Sequence, residues 1–350
     1  MTYLKENRLI VLALIVAFTV SCKEQLSVIE PALITEKTPH DTDDPAIWIN
    51  KENPAESIVF GTDKDETNGG VYAFDLDGNI IENKSITGIS YPNNVDVSYN
   101  FKVNDSTFVD LLVFSEREKN QMRVFSIPEM TMLDNGGFSV FSEEEDINNR
   151  RPMGIATYVD RNNNETFIIV SRKEGPEENY LHQYKLVVDS LGNFDAELVR
   201  KFGAFSGVKE IEAIAVDQEA GYIYYSDEDH CIRKYHANPE DGSEEISCFG
   251  NAYFDRDIEG IAIAKNEDGS GYLIVSNQQD HSFVIFDRQT NKYVKTLNLG
   301  TLETDGCEAT TENLGTKFPN GLFVSMNDDK TFHFHDFAEI KRAIEQNTEK

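Results

Sequence analysis

The stretch Gly271–Asp287, GYLIVSNQQDHSFVIFD, decides the fold. An apolar run, a polar turn at SNQQDH and an alternating run rich in Val, Ile and Phe read as two strands joined by a hairpin. The pattern recurs in SIVFGTDKDETNGGVYAFD from Ser57, DLLVFSEREKNQMRVFSIP from Asp110 and TFIIVSRKEGPEENYLHQYKL from Thr166. It returns in GYIYYSDEDHCIRKYH from Gly221 and GLFVSMNDDKTFHFHDF from Gly321. Successive copies start 50 to 56 residues apart. A short strand precedes each: DPAIWIN, NVDVSYN, MGIATYVD, EAIAVD, EGIAIAK and a weaker one around DGCEATT. A period of about 50 residues with four strands per repeat predicts an all-β, six-bladed β-propeller. One blade cannot bury both of its faces, so neighbours must stack into a ring. A two-sheet sandwich does not account for six regular intervals. Closure is expected to combine both chain ends, with Pro45–Asn50 sharing a blade with residues near Phe334. The tail FAEIKRAIEQ reads as a short helix.

The 350 residues carry 62 Asp plus Glu against 32 Lys plus Arg, a net charge of −30. That acidity excludes a nucleic-acid binder, which needs a basic face. It does not imply disorder, because 39% of residues are hydrophobic and 11% aromatic, enough for a sizeable core. Residues 1–21 read as an export signal: Lys5 and Arg8, then the apolar run Leu9–Val20, too short for a comfortable span. The run ends at Thr19-Val20-Ser21-Cys22, which resembles a bacterial lipoprotein signal in which Cys22 is lipidated, although Thr19 is not the usual Leu. The alternative is an ordinary secretory signal with a chance cysteine. Either reading exports the chain; the first anchors it to a membrane of the cell envelope. Residues 23–39 read as a tether and 40–350 as the propeller. Cys231, Cys248 and Cys307 allow one bridge at most; Cys231 with Cys248 is one reading and simple burial is the other. None has zinc-ligand spacing.

In each repeat the first strand runs into a hairpin and the next returns antiparallel, so the start of one and the end of the next share a rim. The starts carry Asp43, Asp44, Asp96, Arg151, Glu212, Asp257, Glu259, Asp305 and Glu308. The ends carry Lys64, Arg117, Arg172, Lys173, Asp227, Glu228, Asp229, Gln278, Asn327 and Asp328. Any one of these reads as a solvated loop charge; the same register repeated around a ring does not. Converging carboxylates repel and need counter-charge. Calcium is the natural partner, because it takes six to eight oxygen ligands. Adjacent Lys and Arg would hold anionic groups. Acid and base on one rim suggest a metal-bridged polyanion substrate.

Several motifs resemble, in order, those of the β-propeller phytases, calcium-dependent six-bladed enzymes. They are DTDDPAIWIN (Asp41–Asn50), NNVDV (Asn93–Val97), RKEG (Arg172–Gly175), DIEGIAI (Asp257–Ile263), GYLIVSNQ (Gly271–Gln278) and FPNGLFV (Phe318–Val324). The resemblance runs from about Asp41 to Phe337. It implies hydrolysis of phosphate monoesters by metal-activated water, with calcium-complexed inositol hexakisphosphate as typical substrate and several calcium ions as cofactor. By the same resemblance Lys64, Arg117 and Lys173 would hold substrate phosphates, and Gln278 would line the site. Asp43, Asp44, Asp96, Glu212, Glu228, Asp257 and Glu259 would hold calcium or position water, and Asp305 would add a ligand. Glu212, Asp257, Glu259, Lys64 and Lys173 would form the catalytic set. The chain is expected to act as a monomer. Three positions depart from the family: Met153 where a Tyr is common, Asp65 where a second Lys is common, and Thr331 where an Asn calcium ligand is expected. The family's N-terminal glutamate has only Glu30 and Glu36 as counterparts. Three alternatives follow: a divergent propeller acting on another phosphoester, a calcium propeller acting on lactones or phosphotriesters, and a non-enzymatic surface-tethered binding propeller. His333 and His335, on one strand face, read as packing residues.

Overall fold

In the computed structural model, which describes residues 26–346, six four-stranded antiparallel sheets form a closed ring. Strands run outward from the axis in each blade, and the two middle ones are the repeated hairpins. The first five blades begin with inner strands Thr42–Trp48, Pro92–Asn104, Pro152–Asp160, Ile214–Asp217 and Ile258–Lys265. The sixth begins with Cys307–Thr310. Each inner strand contacts the inner strands on both sides, the last meeting the first, so the six surround a central channel. The hairpin strands are apolar on both faces because each blade is covered on both sides. In Ile58–Asp63 and Leu322–Asn327 every residue is buried.

Closure differs from expectation. Thr42–Trp48 is the inner strand of its own blade. The sixth blade takes its outer strand from Leu33–Ile34, which pair with Phe334 and His333. Thr35 donates its backbone N–H to the Phe332 carbonyl and accepts one from Phe332 on its hydroxyl. The end of the segment read as a tether is therefore a structural strand. Two residues are too few to show a period in sequence. The signal segment and Cys22 lie outside the described residues.

The helix Phe337–Glu345 forms as expected. Asp336 caps it by accepting the Ala338 N–H, and Phe337, Ile340 and Ile344 form its buried stripe. Burying each is worth about 1.5–3 kcal/mol. Cys231 and Cys248 are bridged, joining the third and outer strands of the fourth blade, while Cys307 is free and buried. Among the described residues no helix is long and apolar enough to cross a membrane.

One irregularity positions the site. In four blades the inner strand slips by one residue against its neighbour, between Thr42 and Pro45, Pro92 and Val95, Pro152 and Ile155, and Ile258 and Ile261. Each slip is a β-bulge, which re-aims a side chain and leaves a backbone N–H without its ladder partner. The repeat supplies the remedy. The N–H groups of Asp44, Asn94 and Gly154 donate to the hydroxyls of Thr62, Ser115 and Ser171, one strand over. Ser115 and Ser171 then donate to carbonyls of the next blade, Met153 and Ile211, and Ser276 donates likewise to Thr304.

Candidate active site

Two glycines let the blades close around the mouth of the channel. A Cβ on Gly154 would lie 1.8 Å from the Glu212 carbonyl oxygen, and one on Gly306 would lie 2.4 Å from Asp44 Oδ1. With the backbones this close, carboxylates from separate blades converge. Glu210, Glu212 and Glu228 can bring one oxygen each within 4.8 Å of one another, and so can Glu228, Asp257 and Glu259. Glu228 belongs to both groups. A third such group contains Cys231 and Cys248, which already share a disulfide and offer no thiolate.

Across the mouth, Lys64 Nζ lies 2.6 Å from Asp305 Oδ2 and 3.3 Å from Asp43 Oδ1. Asn93 donates to Asp43 at 2.9 Å and, more weakly, to Glu212 at 3.4 Å, tying the two sides together. Gln278 donates to Asp305 Oδ1. Lys173 pairs with Glu210. Arg117 stacks on the Tyr91 ring at 4.0 Å and points Nη2 at Met153 Sδ, 2.6 Å away. The thioether thus faces the guanidinium at the departing position.

The electrostatics are those of a site short of positive charge. Burial raises the pKa of Asp43, partly offset by Lys64 and reinforced by Glu212 and Asp305. Burial followed by Glu212 pushes Glu228 up to about 9. Burial followed by Glu228 and Glu212 raises Glu259. Burial would lower the Lys64 pKa, but Asp43, Asp305 and Glu212 outweigh it and hold the ammonium charged. Asp43 Oδ1, both Glu228 oxygens and Glu259 Oε2 are buried without a hydrogen-bond partner among the described residues. Lys64 and Lys209 approach these groups within ion-pair distance, without hydrogen-bond angles to the orphaned oxygens. Buried carboxylate oxygens left in this condition fit a hard divalent cation.

The structure divides the expected residues. Asp43, Lys64, Glu212, Glu228, Asp257, Glu259, Gln278 and Asp305 meet at the mouth, with Lys173 joined through Glu210. Asp44 and Asp96 instead line the channel beyond it, with Glu308, in a cavity of about 550 Å³ that also includes Tyr99, Arg161 and Lys265. Asp44 Oδ2 accepts the Val95 N–H, and Asp96 accepts from Val97 and twice from Thr157. Burial pushes Asp96 up to about 6 and also raises Asp44 and Glu308. The bulges set this order, because one extra residue turns Asp43 to the mouth and leaves Asp44 to the channel. Arg172 and Asp227 leave the site. Arg172 is buried against Glu144 and the Phe141 ring, and Asp227 holds Arg233 and Ser206. Thr331 donates to Asp329.

Sequence reasoning missed Lys209, Glu210 and Asn93. Asn93 lies inside the motif NNVDV. Lys209 and Glu210 occupy the loop before the fourth inner strand, where no periodicity marks them; their spacing from Glu212 was the available signal.

Comparison with known proteins bears on the family and the fold. A family model described as Phytase matches residues 8–343. The chain is 29% identical over 302 residues to a 3-phytase of Bacillus subtilis (strain 168), covering 82% of this chain and 74% of that protein. It also superposes on the crystal structure of the WD40 β-propeller domain of Doa1 with a TM-score of 0.52 at 8% identity, covering 87% of this chain and 95% of that one, a likeness of fold alone. The chain belongs to the phytase family and is a phosphoric monoester hydrolase.

Proposed function

We propose that the chain is a calcium-dependent phytase that releases phosphate from inositol hexakisphosphate at the mouth ringed by Asp43, Glu212, Glu228, Asp257, Glu259 and Asp305. The observation that carries this reading is the set of buried carboxylate oxygens without hydrogen-bond partners, flanked by Lys64, Lys173 and Arg117. Calcium held there would draw charge from phosphate oxygens and lower the pKa of a bound water. Lys64 and Lys173 each now neutralise a carboxylate and stand where an incoming phosphate would meet them. Together with Arg117 they would stabilise charge on the equatorial oxygens. Asp257 and Glu259 would orient water, and Glu212, between the two sides, would keep both halves in register. Asp44 and Asp96, with Glu308, would hold a cation deeper in the channel.

The contact of Met153 with Arg117 favours a second reading, a phosphoester with fewer phosphates, because a thioether cannot donate a hydrogen bond to phosphate. Anchoring through a lipidated Cys22 at the cell envelope, and action as a monomer, are further proposals that rest on the sequence.

Colorimetric phosphate release from a panel of phosphoesters, with calcium or chelator, tests the function. The expected result is calcium-dependent release from inositol hexakisphosphate. Lys173→Ala is expected to abolish it while leaving the melting curve of the protein intact. Full activity in that variant would undo the site assignment.

A further inference from the structure

Lys209 sits in the loop between the outer strand of the third blade, ending at Ala204, and the inner strand of the fourth, beginning at Ile214. Its Nζ lies 2.6 Å from Asp257 Oδ2, 2.7 Å from Glu228 Oε2 and 3.9 Å from Glu259 Oε1. These are the three carboxylates that converge within 4.8 Å. The Glu228 and Glu259 side chains are 0% and 6% exposed, whereas that of Lys209 is 37% exposed, so the ammonium enters the group from the solvent side. Ser206 ties the start of the loop to Asp227, and Gly207 follows with φ of 74°. Val208, next to Lys209, is 60% exposed, so its side chain does not anchor the loop in the core.

An ammonium there is an incomplete solution. It brings one charge and three N–H groups, yet Glu259 Oε2 and both Glu228 oxygens remain without a hydrogen bond. A divalent cation bound at 2.3–2.6 Å from the same oxygens could not share the space with a nitrogen already 2.6–2.7 Å from two of them.

We propose that Lys209 is a tethered counter-cation of the metal site: its ammonium fills the Glu228, Asp257 and Glu259 group when no divalent ion is bound, and a divalent ion must expel it to bind. This rests on the reading of the mouth as a calcium site and adds a residue that sets its affinity. Lys209 lowers the site's affinity for metal while protecting the metal-free protein from repulsion among three buried carboxylates. The expelled side chain remains tethered at the mouth, next in sequence to Glu210, which pairs with Lys173.

The test is calcium binding by titration calorimetry, with thermal melting in chelator and in calcium, on the whole chain and on Lys209→Met, Lys209→Gln and Lys209→Arg. Removing the charge is expected to tighten calcium binding on the order of tenfold. It should also lower the melting temperature in chelator and enlarge the rise that calcium produces. Lys209→Arg should stay close to the unaltered protein. Affinity unchanged in both uncharged variants, with melting lowered equally in chelator and calcium, would mean an ordinary structural lysine and would overturn the proposal. If the unaltered protein takes up no calcium and its phosphate release ignores chelator, the reading of the mouth fails, and the proposal with it.

Discussion

Glu228 is the side chain on which most depends. It is fully buried, is shared by both carboxylate groups, and has no hydrogen bond on either oxygen. Its raised pKa means that the ionised form costs stability in the absence of a cation. Glu228→Gln should therefore melt at a higher temperature than the unaltered protein in chelator. It should gain less from calcium and release phosphate on the order of a hundredfold more slowly. Thermal melts in both buffers and a phosphate assay check the three signs; a variant less stable in chelator would contradict this electrostatic account. The acidic mouth was legible in sequence because strand ends repeat in register, which is how Asp43, Glu212, Glu228, Asp257 and Glu259 were found. The depth of Asp44 and Asp96 was not legible, because a one-residue bulge interrupts the period of two on which such a reading relies.

The hairpin is the element that made the fold readable, since both middle strands of every blade are buried on both faces. Five of the six repeats carry a Thr or Ser as the next-to-last residue of their first strand, and the structure gives that hydroxyl a purpose. Ser171 accepts the Gly154 N–H and donates to the Ile211 carbonyl, next to Glu212. Ser171→Ala leaves both groups buried and unpaired, a loss of about 1–3 kcal/mol for each. We expect a lower melting temperature and weaker calcium binding from the same substitution; calorimetry showing unaltered calcium affinity would separate this bridge from the site. The closing strand Leu33–Ile34 escaped the sequence reading because it is two residues long. A chain begun at residue 37 should melt roughly 5–10 °C lower, and one melting like the longer chain would refute closure by this strand. His182 and His335 belong to third strands of their blades, and burial pushes the pKa of each down to about 3. Arg172 and Lys201 lower that of His182 further against Glu143, while His333 lowers that of His335 against the Glu30 backbone. Both are neutral in the fold but take up protons when unfolded below about 6.5. At these two positions the unfolded state therefore binds more protons between about 6.5 and 3, so their contribution to stability falls as pH drops through that window, opposite in sign to that of the carboxylates whose pKa burial raises. Between pH 7.5 and 4 the melting temperature of the unaltered protein should fall relative to that of His335→Leu; a constant difference between the two would count against this assignment.

At the scale of the whole molecule, a chain of net charge −30 has to attract an anionic phosphate ester. The ring resolves this by gathering several of its carboxylates at one end of the channel, where bound divalent ions would reverse the local field. The same arrangement would make calcium a folding ligand, because it binds side chains from separate blades only when the ring is closed. Phosphate release from inositol hexakisphosphate, followed while calcium is returned to exhaustively chelated protein, tests this claim most directly. The account predicts no release without calcium and a saturable return as it is added, in parallel with a rise in melting temperature. Release that persists undiminished in the chelated protein would contradict it.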